Sequence, residues 1–153
     1  FWIGNNTGLD EVAGVFRKPR VLTNMAPFMA LNMHAKKNYY LLKTYVNSKN
    51  QKLSISKIFD YGIASSFHNE DFKKKKIQLI EHNPKEYKDV ILESLKLMKD
   101  SWRIKNKKDF ELQRKFRKLY LKKTKEFNLK DVYGKIKSIY SPYFLRKNQW
   151  FLK

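Results

Sequence analysis

The sequence has no cysteine among its 153 residues. Disulfide bonds and thiolate metal sites are therefore excluded, and the composition suits a reducing compartment such as the cytoplasm. Apolar runs are also short, and none approaches the roughly 18 residues that a membrane-spanning helix needs. No basic segment followed by an apolar one marks a secretory signal. Because Phe1 stands where a Met would be expected, we expect that part of the natural N-terminus precedes it.

Acidic residues are scarce, with 14 Asp and Glu against 34 Lys and Arg, which gives a formal net charge of +20. Residues 73–153 hold 25 of the basic residues and 9 of the acidic ones, so the excess lies in the second half. Lysines number 28 and arginines only 6, whereas specific readers of phosphates and bases rely mainly on arginine forks. Three interpretations stay open, in decreasing order of preference: a solvated surface written by AT-rich coding, attraction to an anionic membrane, and nucleic-acid binding.

The first 24 residues predict a strand, a helix and a second strand. Residues 1–4 are apolar and indicate the end of a buried strand. Thr7 is expected to start the helix, with Asp10 at the spacing of a capping box. Pro19 ends it, because the residue before a proline is disfavoured in helical conformation, and residues 20–24 form the next strand. The apolar face predicted for this helix consists of Leu9, Val12, Ala13 and Phe16. The unit is typical of a parallel α/β sheet.

The middle of the chain has weaker signals. Residues 25–52 lack a clear period and are expected to form a long loop with one helical turn. Ser54 is expected to cap a short helix over residues 54–59. Residues 73–76 are four lysines, which indicates a solvated face or turn, and residues 77–81 alternate as a strand does.

Two longer helices are predicted after residue 82. Asn83, Pro84 and Glu86 stand at the spacing of an N-cap, a first helical position and a capping-box partner. One face of this helix is expected to pack in the core, formed by Tyr87, Ile91, Leu95, Met98 and Trp102. Asp109 is expected to cap the next helix.

The helix after Asp109 is basic and amphipathic. Its inward face is predicted to consist of Leu112, Phe116, Leu119 and Tyr120, among the basic residues Arg114, Lys115, Arg117, Lys118, Lys122 and Lys123. Such a helix can lie on anionic lipid, and it can equally pack against a neighbouring domain. A last helical turn follows, capped by Ser141.

The loop at residues 4–8 is the main candidate site. It follows a strand and precedes a helix, where free backbone N–H groups and the positive helix end favour a phosphate. Gly8 permits close approach of a ligand, and the Thr7 hydroxyl can donate a hydrogen bond. Asp10 and Glu11 have two interpretations each, as exposed carboxylates favoured by the helix dipole or as a cap and a ribose acceptor, respectively. Neither a P-loop nor a G-x-G-x-x-G pattern is present.

Metal and nucleophile chemistry have little support in the sequence. His34, His68 and His82 lie far apart, without a partner histidine or carboxylate at ligand spacing, so no metal ligand is predicted. His34 is interpreted as a surface residue or as one that points into a cleft. No Ser-His-Asp or G-x-S-x-G arrangement occurs.

Several ordered motifs resemble those of known enzymes. The block FWIGNNTGL over residues 1–9, the RKP at residues 17–19 and the apolar strand after it resemble the nucleotide-sugar domain of GT-B glycosyltransferases, including heptosyltransferases. Residues 52–58, 80–86 and 144–148 resemble later stretches of glycosyltransferases from bacterial surface-polysaccharide clusters. The likeness touches most of the chain in order.

The resemblance implies roles for particular residues. Asn6, Thr7, Gly8 and Leu9 would hold the donor diphosphate through backbone N–H groups and the Thr7 hydroxyl, and Glu11 would bind the donor ribose. Asn83 and Pro84 would have a structural role at a helix start. The sequence departs from the family pattern at Asn6, Lys57 and Pro84, where relatives usually carry Asp, an acidic residue, and Thr or Ser, respectively.

The resemblance also implies the architecture and activity. Residues 1–102 would be part of a Rossmann-like donor domain of parallel α/β type, and residues 103–153 a basic helical extension that packs on it or on an N-terminal domain ahead of Phe1. The enzyme would transfer a sugar from a nucleotide-sugar substrate to a glycan or lipid-linked acceptor, without a metal or other cofactor. It would work in the cytoplasm, with possible contact to the inner face of the membrane. The alternative is a non-enzymatic basic module for anionic membrane or nucleic acid, with nucleic acid the less favoured partner.

Overall fold

A computed structural model describes residues 1–5, 8–31, 35–127 and 136–153. The strands in these ranges are β1 (Trp2–Gly4), β2 (Arg20–Met25), β3 (Asn38–Leu42), β4 (Thr44–Val46), β5 (Gln78–Ile80) and β6 (Ile139–Tyr140). The α-helices are α1 (Leu9–Val15), α2 (Ile55–Asp60), α3 (Asn69–Lys74), α4 (Pro84–Lys99), α5 (Lys107–Glu126) and α6 (Pro142–Lys147). Short 3₁₀ helices cover Phe28–Ala30 and Gln149–Leu152.

A four-stranded parallel sheet is the framework of the fold. Its order is β1-β2-β3-β6, with Trp2 opposite Arg20 and Tyr39 opposite Ile139. The predicted α/β class and the parallel unit at the start of the chain are therefore confirmed. β4 and β5 form a separate antiparallel ribbon, and β5 confirms the strand predicted at residues 77–81. The last strand, β6, lies beside β3. The sheet therefore contains residues of both predicted parts of the chain, 1–102 and 103–153.

The long loop predicted over residues 25–52 is wrong, because this segment contains β3 and β4. Every residue of β3 is buried. A central strand of a parallel sheet is covered on both faces and therefore has no alternation of polar and apolar residues. The absence of a period was the signature of a buried strand.

The first strand and helix have the predicted type but different surroundings. Gly8, not Thr7, is the N-cap of α1, and Thr7 itself lies outside the described residues. The predicted apolar face is exposed: Leu9 is 63% accessible and Phe16 68%. β1 was predicted to be buried, but Ile3 is 40% accessible. Helical periodicity locates an apolar face without specifying what covers it.

The caps of α2 and α4 confirm the sequence interpretation. The Ser54 hydroxyl accepts a hydrogen bond from the Lys57 N–H at the start of α2. Asn83 and Glu86 form a reciprocal capping box, with Pro84 as the first helical residue of α4. The predicted core stripe of α4 is displaced, because its most buried residues are Val90, Ser94 and Leu97. Residues 87, 91, 95 and 98 are half-buried. Ser94 tolerates burial because its hydroxyl donates to the Ile91 carbonyl.

α5 covers the outer edge of the sheet. It begins at Lys107 and its N-cap is Asn106, not Asp109, which instead donates its backbone N–H to the Asn106 side chain. The predicted inward face is confirmed, and the Phe116 ring stacks on Tyr140 with centroids 4.6 Å apart. Gln113 hydrogen-bonds both the N–H and the carbonyl of Tyr140. This side chain therefore satisfies backbone groups that an edge strand would otherwise leave unpaired.

The end of the chain closes the aromatic core. Ser141 caps α6, as predicted, by accepting the Phe144 N–H. Phe144, Phe151 and Tyr140 pack edge-to-face or stacked around one another. Within the described part of the chain, none of the helices has both the length and the apolar character to cross a bilayer.

Candidate functional site

The carboxyl ends of three neighbouring strands border a cavity of about 230 Å³, here called the strand-end cavity. Asn5 follows β1, Asn24 is the next-to-last residue of β2, and Lys43 follows β3. The segment before and at the start of α3 closes the other side with Ser66, Phe67 and Asn69. Ligands of open parallel α/β sheets bind outside the carboxyl ends of the strands. The polar lining of this cavity thus lies where the fold favours a ligand.

Lys43 is the cationic residue of the strand-end cavity. Its side chain is 26% accessible, and its Nζ lies 3.0 Å from Glu81 Oε1. Its backbone N–H donates to the Met25 carbonyl, which joins the ends of β2 and β3. The sequence analysis missed this residue because it placed Lys43 in a loop. The run Tyr-Tyr-Leu-Leu followed by Lys was the available signal for a buried strand with a cation at its end.

The predicted diphosphate loop is described only in part. Asn6 and Thr7 lie outside the described residues. Gly8 has φ of +85°, a left-handed conformation that favours glycine. Its N–H donates to Asp10 Oδ1 at 3.1 Å. A Cβ added at Gly8 would meet no atom within 4 Å, so there is open space on this side of the loop. The Leu9 side chain is exposed, and its predicted contribution is through the backbone.

Asp10 is buried, which corrects its interpretation as an exposed carboxylate. Only 1% of the residue is accessible, and its Oδ2 lies 3.6 Å from Arg20 Nη1. Arg20, itself buried, also donates to the Asp10 carbonyl and to Asn38 Oδ1. The Asp10 side chain therefore holds the turn at Gly8 through its hydrogen bond to the Gly8 N–H. Because Arg20 compensates the charge of Asp10, this carboxylate would repel an anion at the loop only weakly.

Glu11 pairs with the same arginine. Its Oε1 lies 3.0 Å from Arg20 Nη1, while 60% of its side chain remains accessible. The carboxylate therefore leans toward the guanidinium of the first residue of β2. Its assignment to a donor ribose stays a prediction, which requires that the side chain exchange this ion pair for a ribose hydroxyl pair.

His82 joins the start of α4 to the end of β3. Its Nε2–H donates to the Leu42 carbonyl at 2.7 Å, and its Nδ1 lies 3.3 Å from Glu86 Oε2. Its backbone N–H donates to Asn24 Oδ1. The sequence analysis found no carboxylate at ligand spacing from a histidine, but it overlooked Glu86, which follows His82 by four residues and pairs with its ring. His82 therefore fixes the positions of Asn24, which lines the strand-end cavity, and of Leu42, which directly precedes Lys43.

The remaining histidines add no site. His68 is exposed and is the N-cap of α3, and His34 lies outside the described residues. Among the described residues there is no group of three or more His, Asp or Glu arranged to hold a metal ion.

A second cavity, here called the carboxylate cavity, lies between α4, α5 and α6 and measures about 480 Å³. Arg146 is its central cation: it donates to both oxygens of Asp109 and to Glu93 Oε1, each at 2.7 Å. Glu93 Oε2 also accepts from the Tyr39 hydroxyl and the Tyr143 N–H. These bonds fasten α6 to α4, α5 and the sheet. We assign this network a structural role, because its charged groups already bind one another.

No known protein-family model, curated protein or solved structure matches the chain. A function has to be inferred from its own residues and their geometry.

Proposed function

We propose that the chain is the donor-binding part of a GT-B glycosyltransferase. It would transfer a sugar from a nucleotide-activated donor to a glycan or lipid-linked acceptor during synthesis of a cell-surface polysaccharide. The single observation that carries this proposal is the strand-end cavity, which Asn5, Asn24 and Lys43 line at the carboxyl ends of the parallel strands β1, β2 and β3. Gly8 follows Asn5 by three residues and is not itself part of this lining. The ordered likeness of the sequence motifs supports the same function.

The donor diphosphate is the part of the substrate that this cavity fits. Its volume of about 230 Å³ is smaller than the roughly 300–1,000 Å³ of pockets that enclose a whole small-molecule ligand. A diphosphate bound by Lys43 and by amide groups of Asn5 and Asn24 matches the size and polarity of the lining. The nucleoside and the sugar would then extend beyond it, toward a second domain.

The chemical contribution of these residues is electrostatic. As the glycosidic bond breaks, negative charge develops on the departing nucleoside diphosphate. An ammonium group already held beside the diphosphate stabilises that charge more in the transition state than in the ground state. Lys43 is suited to this role because Glu81, its present partner, is 64% accessible and can return to water. In this proposal, the general base belongs to the second domain.

An exposed apolar surface supports contact with such a domain. Phe1, Leu9, Val12 and Phe16 are each more than half accessible. Phe1 directly precedes the edge strand β1, Leu9 and Val12 belong to α1, and Phe16 is the C-cap of α1. Clustered apolar side chains of this size on a surface are typical of interaction sites. The second domain would cover this face and complete the donor cleft.

Binding of nucleoside diphosphates to the full-length protein tests this proposal. UDP, GDP and CDP would be titrated by calorimetry against the wild type, Lys43→Gln and Lys43→Arg. We expect one of them to bind, and Lys43→Gln to weaken binding about tenfold because a charge-assisted hydrogen bond is lost. Lys43→Arg keeps the charge and should retain most of the affinity.

A glycine substitution provides the matched test of the loop. Gly8→Asp adds a negative charge where a Cβ meets no neighbour, and Gly8→Asn adds the same shape without charge. We expect Asp to weaken binding more than Asn does. If none of the three nucleotides binds, or if the Lys43 and Gly8 variants bind as the wild type does, the proposed donor site is refuted.

A further inference from the structure

A third cavity lies on the outer side of β6 and has a basic lining. It measures about 470 Å³, and we call it the cationic cavity. Three of the chain's six arginines line it, together with Lys137, and so do Trp102 and Phe110. Lys137 and Ile139 stand at the amino end of β6. Since the strands are parallel, this cavity lies at the opposite end of the sheet from the strand-end cavity.

Arg117 is the least satisfied cation of this cavity. The residue is half-buried, and its Nη2 donates to the Ser138 carbonyl at 3.2 Å. Its Nε is fully buried and has no hydrogen-bond partner among the described residues. Desolvation lowers the pKa of Arg117, and no carboxylate of the described residues counteracts this effect. A half-buried charge without an ionic partner loses hydration that no opposite charge replaces, so an anion at this position would relieve an existing cost.

The neighbouring cations are also poorly compensated. Arg114 forms an ion pair with Glu111 at 2.7 Å, but both side chains are largely accessible, so this pair is weak. Within the described part of the chain, Arg103 and Lys137 have no ion-pair partner. The lining of the cationic cavity therefore carries a clear excess of positive charge.

Two aromatic rings give the cavity an apolar side. Phe110 is 55% accessible although it lies among charged residues. Trp102 is half-buried and follows Ser101, and both residues have φ in the left-handed region, at +60° and +53°. Non-glycine residues adopt this conformation at an energetic cost. The turn thereby directs the chain so that Trp102 and Arg103 both line the cavity.

We propose that the cationic cavity binds a phosphate group, with the rest of the ligand packed against Trp102 and Phe110. Its volume lies within the range of small-molecule sites, and arginine forks match the geometry of phosphate oxygens. Arg117 and Arg103 hold the phosphate, while Arg114 and Lys137 add long-range attraction. The phosphate belongs either to a soluble phosphorylated compound or to a lipid headgroup, which share this chemistry. This site is separate from the proposed donor site and shares none of its residues.

The experiment uses two probes for the two sources of phosphate. Inorganic diphosphate is titrated by calorimetry at low salt, and vesicles of phosphatidylglycerol with phosphatidylcholine are tested by co-sedimentation. Each probe is applied to the wild type, Arg117→Gln, Arg103→Gln and Lys118→Gln. Lys118 is the matched control, because it follows Arg117 on α5 and loses the same charge but does not line the cationic cavity. Circular dichroism verifies that each variant is folded.

We expect at least one probe to bind the wild type. Arg117→Gln and Arg103→Gln should each weaken that binding about tenfold. Lys118→Gln should weaken it less than about twofold. If the Arg117 and Arg103 variants lose affinity for diphosphate, the ligand class is a soluble phosphorylated compound. If they lose binding to vesicles alone, the ligand is a lipid headgroup. Absence of binding to both probes overturns the proposal, as does an equal loss in all three variants, which would indicate a diffuse basic surface. Lys43→Gln is tested as well. If this variant loses diphosphate binding while Arg117→Gln keeps it, the diphosphate binds at the proposed donor site, and this result also contradicts the inference.

Discussion

The carboxylate cavity and the cationic cavity have nearly the same volume, about 480 and 470 Å³, and both are lined by Arg103 and Ile104. Their electrostatics differ, because charged side chains of both signs line the first, whereas the charged side chains that the structure describes in the second are all basic. Arg146 in the first binds two carboxylates at 2.7 Å, whereas Arg117 in the second binds one carbonyl. Burial by itself lowers the pKa of Arg146, but the hydrogen bonds to Asp109 and Glu93 outweigh it and raise that pKa. The pKa of Arg117 is lowered by burial alone.

This difference separates a structural arginine from a candidate binding arginine. A chain with 34 basic and 14 acidic residues cannot pair every cation, so the placement of its acids is informative. Asp109 and Glu93 both form ion pairs with Arg146, and their side chains are 12% and 15% accessible, respectively. The described residues that line the cationic cavity include no carboxylate. Three measurements would break or sharpen this contrast.

The largest effect is expected for Arg146→Met. Removal of the guanidinium leaves Glu93 and Asp109 buried without a counter-charge, which should lower the free energy of unfolding by about 3 kcal/mol. Arg114→Met is the matched control, because its ion pair with Glu111 is exposed and should contribute less than about 1 kcal/mol. Urea denaturation at pH 7 measures both. Equal losses in the two variants would remove the distinction between a structural and a surface arginine.

An intermediate effect is expected at alkaline pH. Burial raises the pKa of Tyr39, and the charge of Glu93 raises it further. The folded protein therefore retains the phenolic proton that the unfolded chain loses near pH 10. This contribution to stability is complete below about pH 10 and is lost as the pH rises, by about 1.4 kcal/mol per pH unit for one such proton.

Tyr39→Phe is the test of this alkaline effect. The variant loses the hydrogen bonds to Glu93 and Ser141 and should be less stable at pH 7. Above pH 10 its stability should fall less steeply than that of the wild type. Urea denaturation between pH 8 and pH 11 compares the two slopes, and parallel slopes would show that Tyr39 does not contribute to the alkaline transition.

The smallest effect on stability is expected for Arg117→Met. The substitution keeps an unbranched apolar side chain and removes a half-buried charge that has no carboxylate partner in the described ranges of the chain. We expect the free energy of unfolding to stay the same or rise by up to about 1 kcal/mol. Urea denaturation without added phosphate measures it. A loss as large as that of Arg146→Met would mean that Arg117 is structural, and the contrast between the two cavities would disappear.

Local features of the fold were predictable because they depend on a few adjacent residues. The capping box of Asn83 and Glu86 needs only two residue types at a fixed spacing, and Pro84 favours the first helical position beside it. The inward face of α5 follows from helical periodicity around Phe116. Predictions failed where burial on both faces removed the period, as in β3, or where a more distant residue fixed the environment, as Arg20 does for Asp10.

The sequence indicated the edge of the sheet at which the strand-end cavity lies but not its lining, which contains none of the predicted residues Gly8, Leu9 and Glu11. The strand and glycine loop at the start of the chain indicated the carboxyl end of a sheet. Lys43 is brought there only by the pairing of β3 beside β2, which no local motif specifies. The cationic cavity was visible in sequence only as charge on the face of α5, because Arg103 and Lys137 join Arg117 through tertiary contacts.

The sequence by itself determined the α/β class, the starts of α2, α4 and α6, and the excess of positive charge. These properties follow from local propensity, spacing and composition. The tertiary structure alone decided which charges are compensated: Arg146 meets Asp109 and Glu93 across three helices, whereas Arg117 meets no carboxylate within the part of the chain that the structure describes. Coulombic and desolvation energies depend on distance in space and on burial, which separation along the chain does not determine.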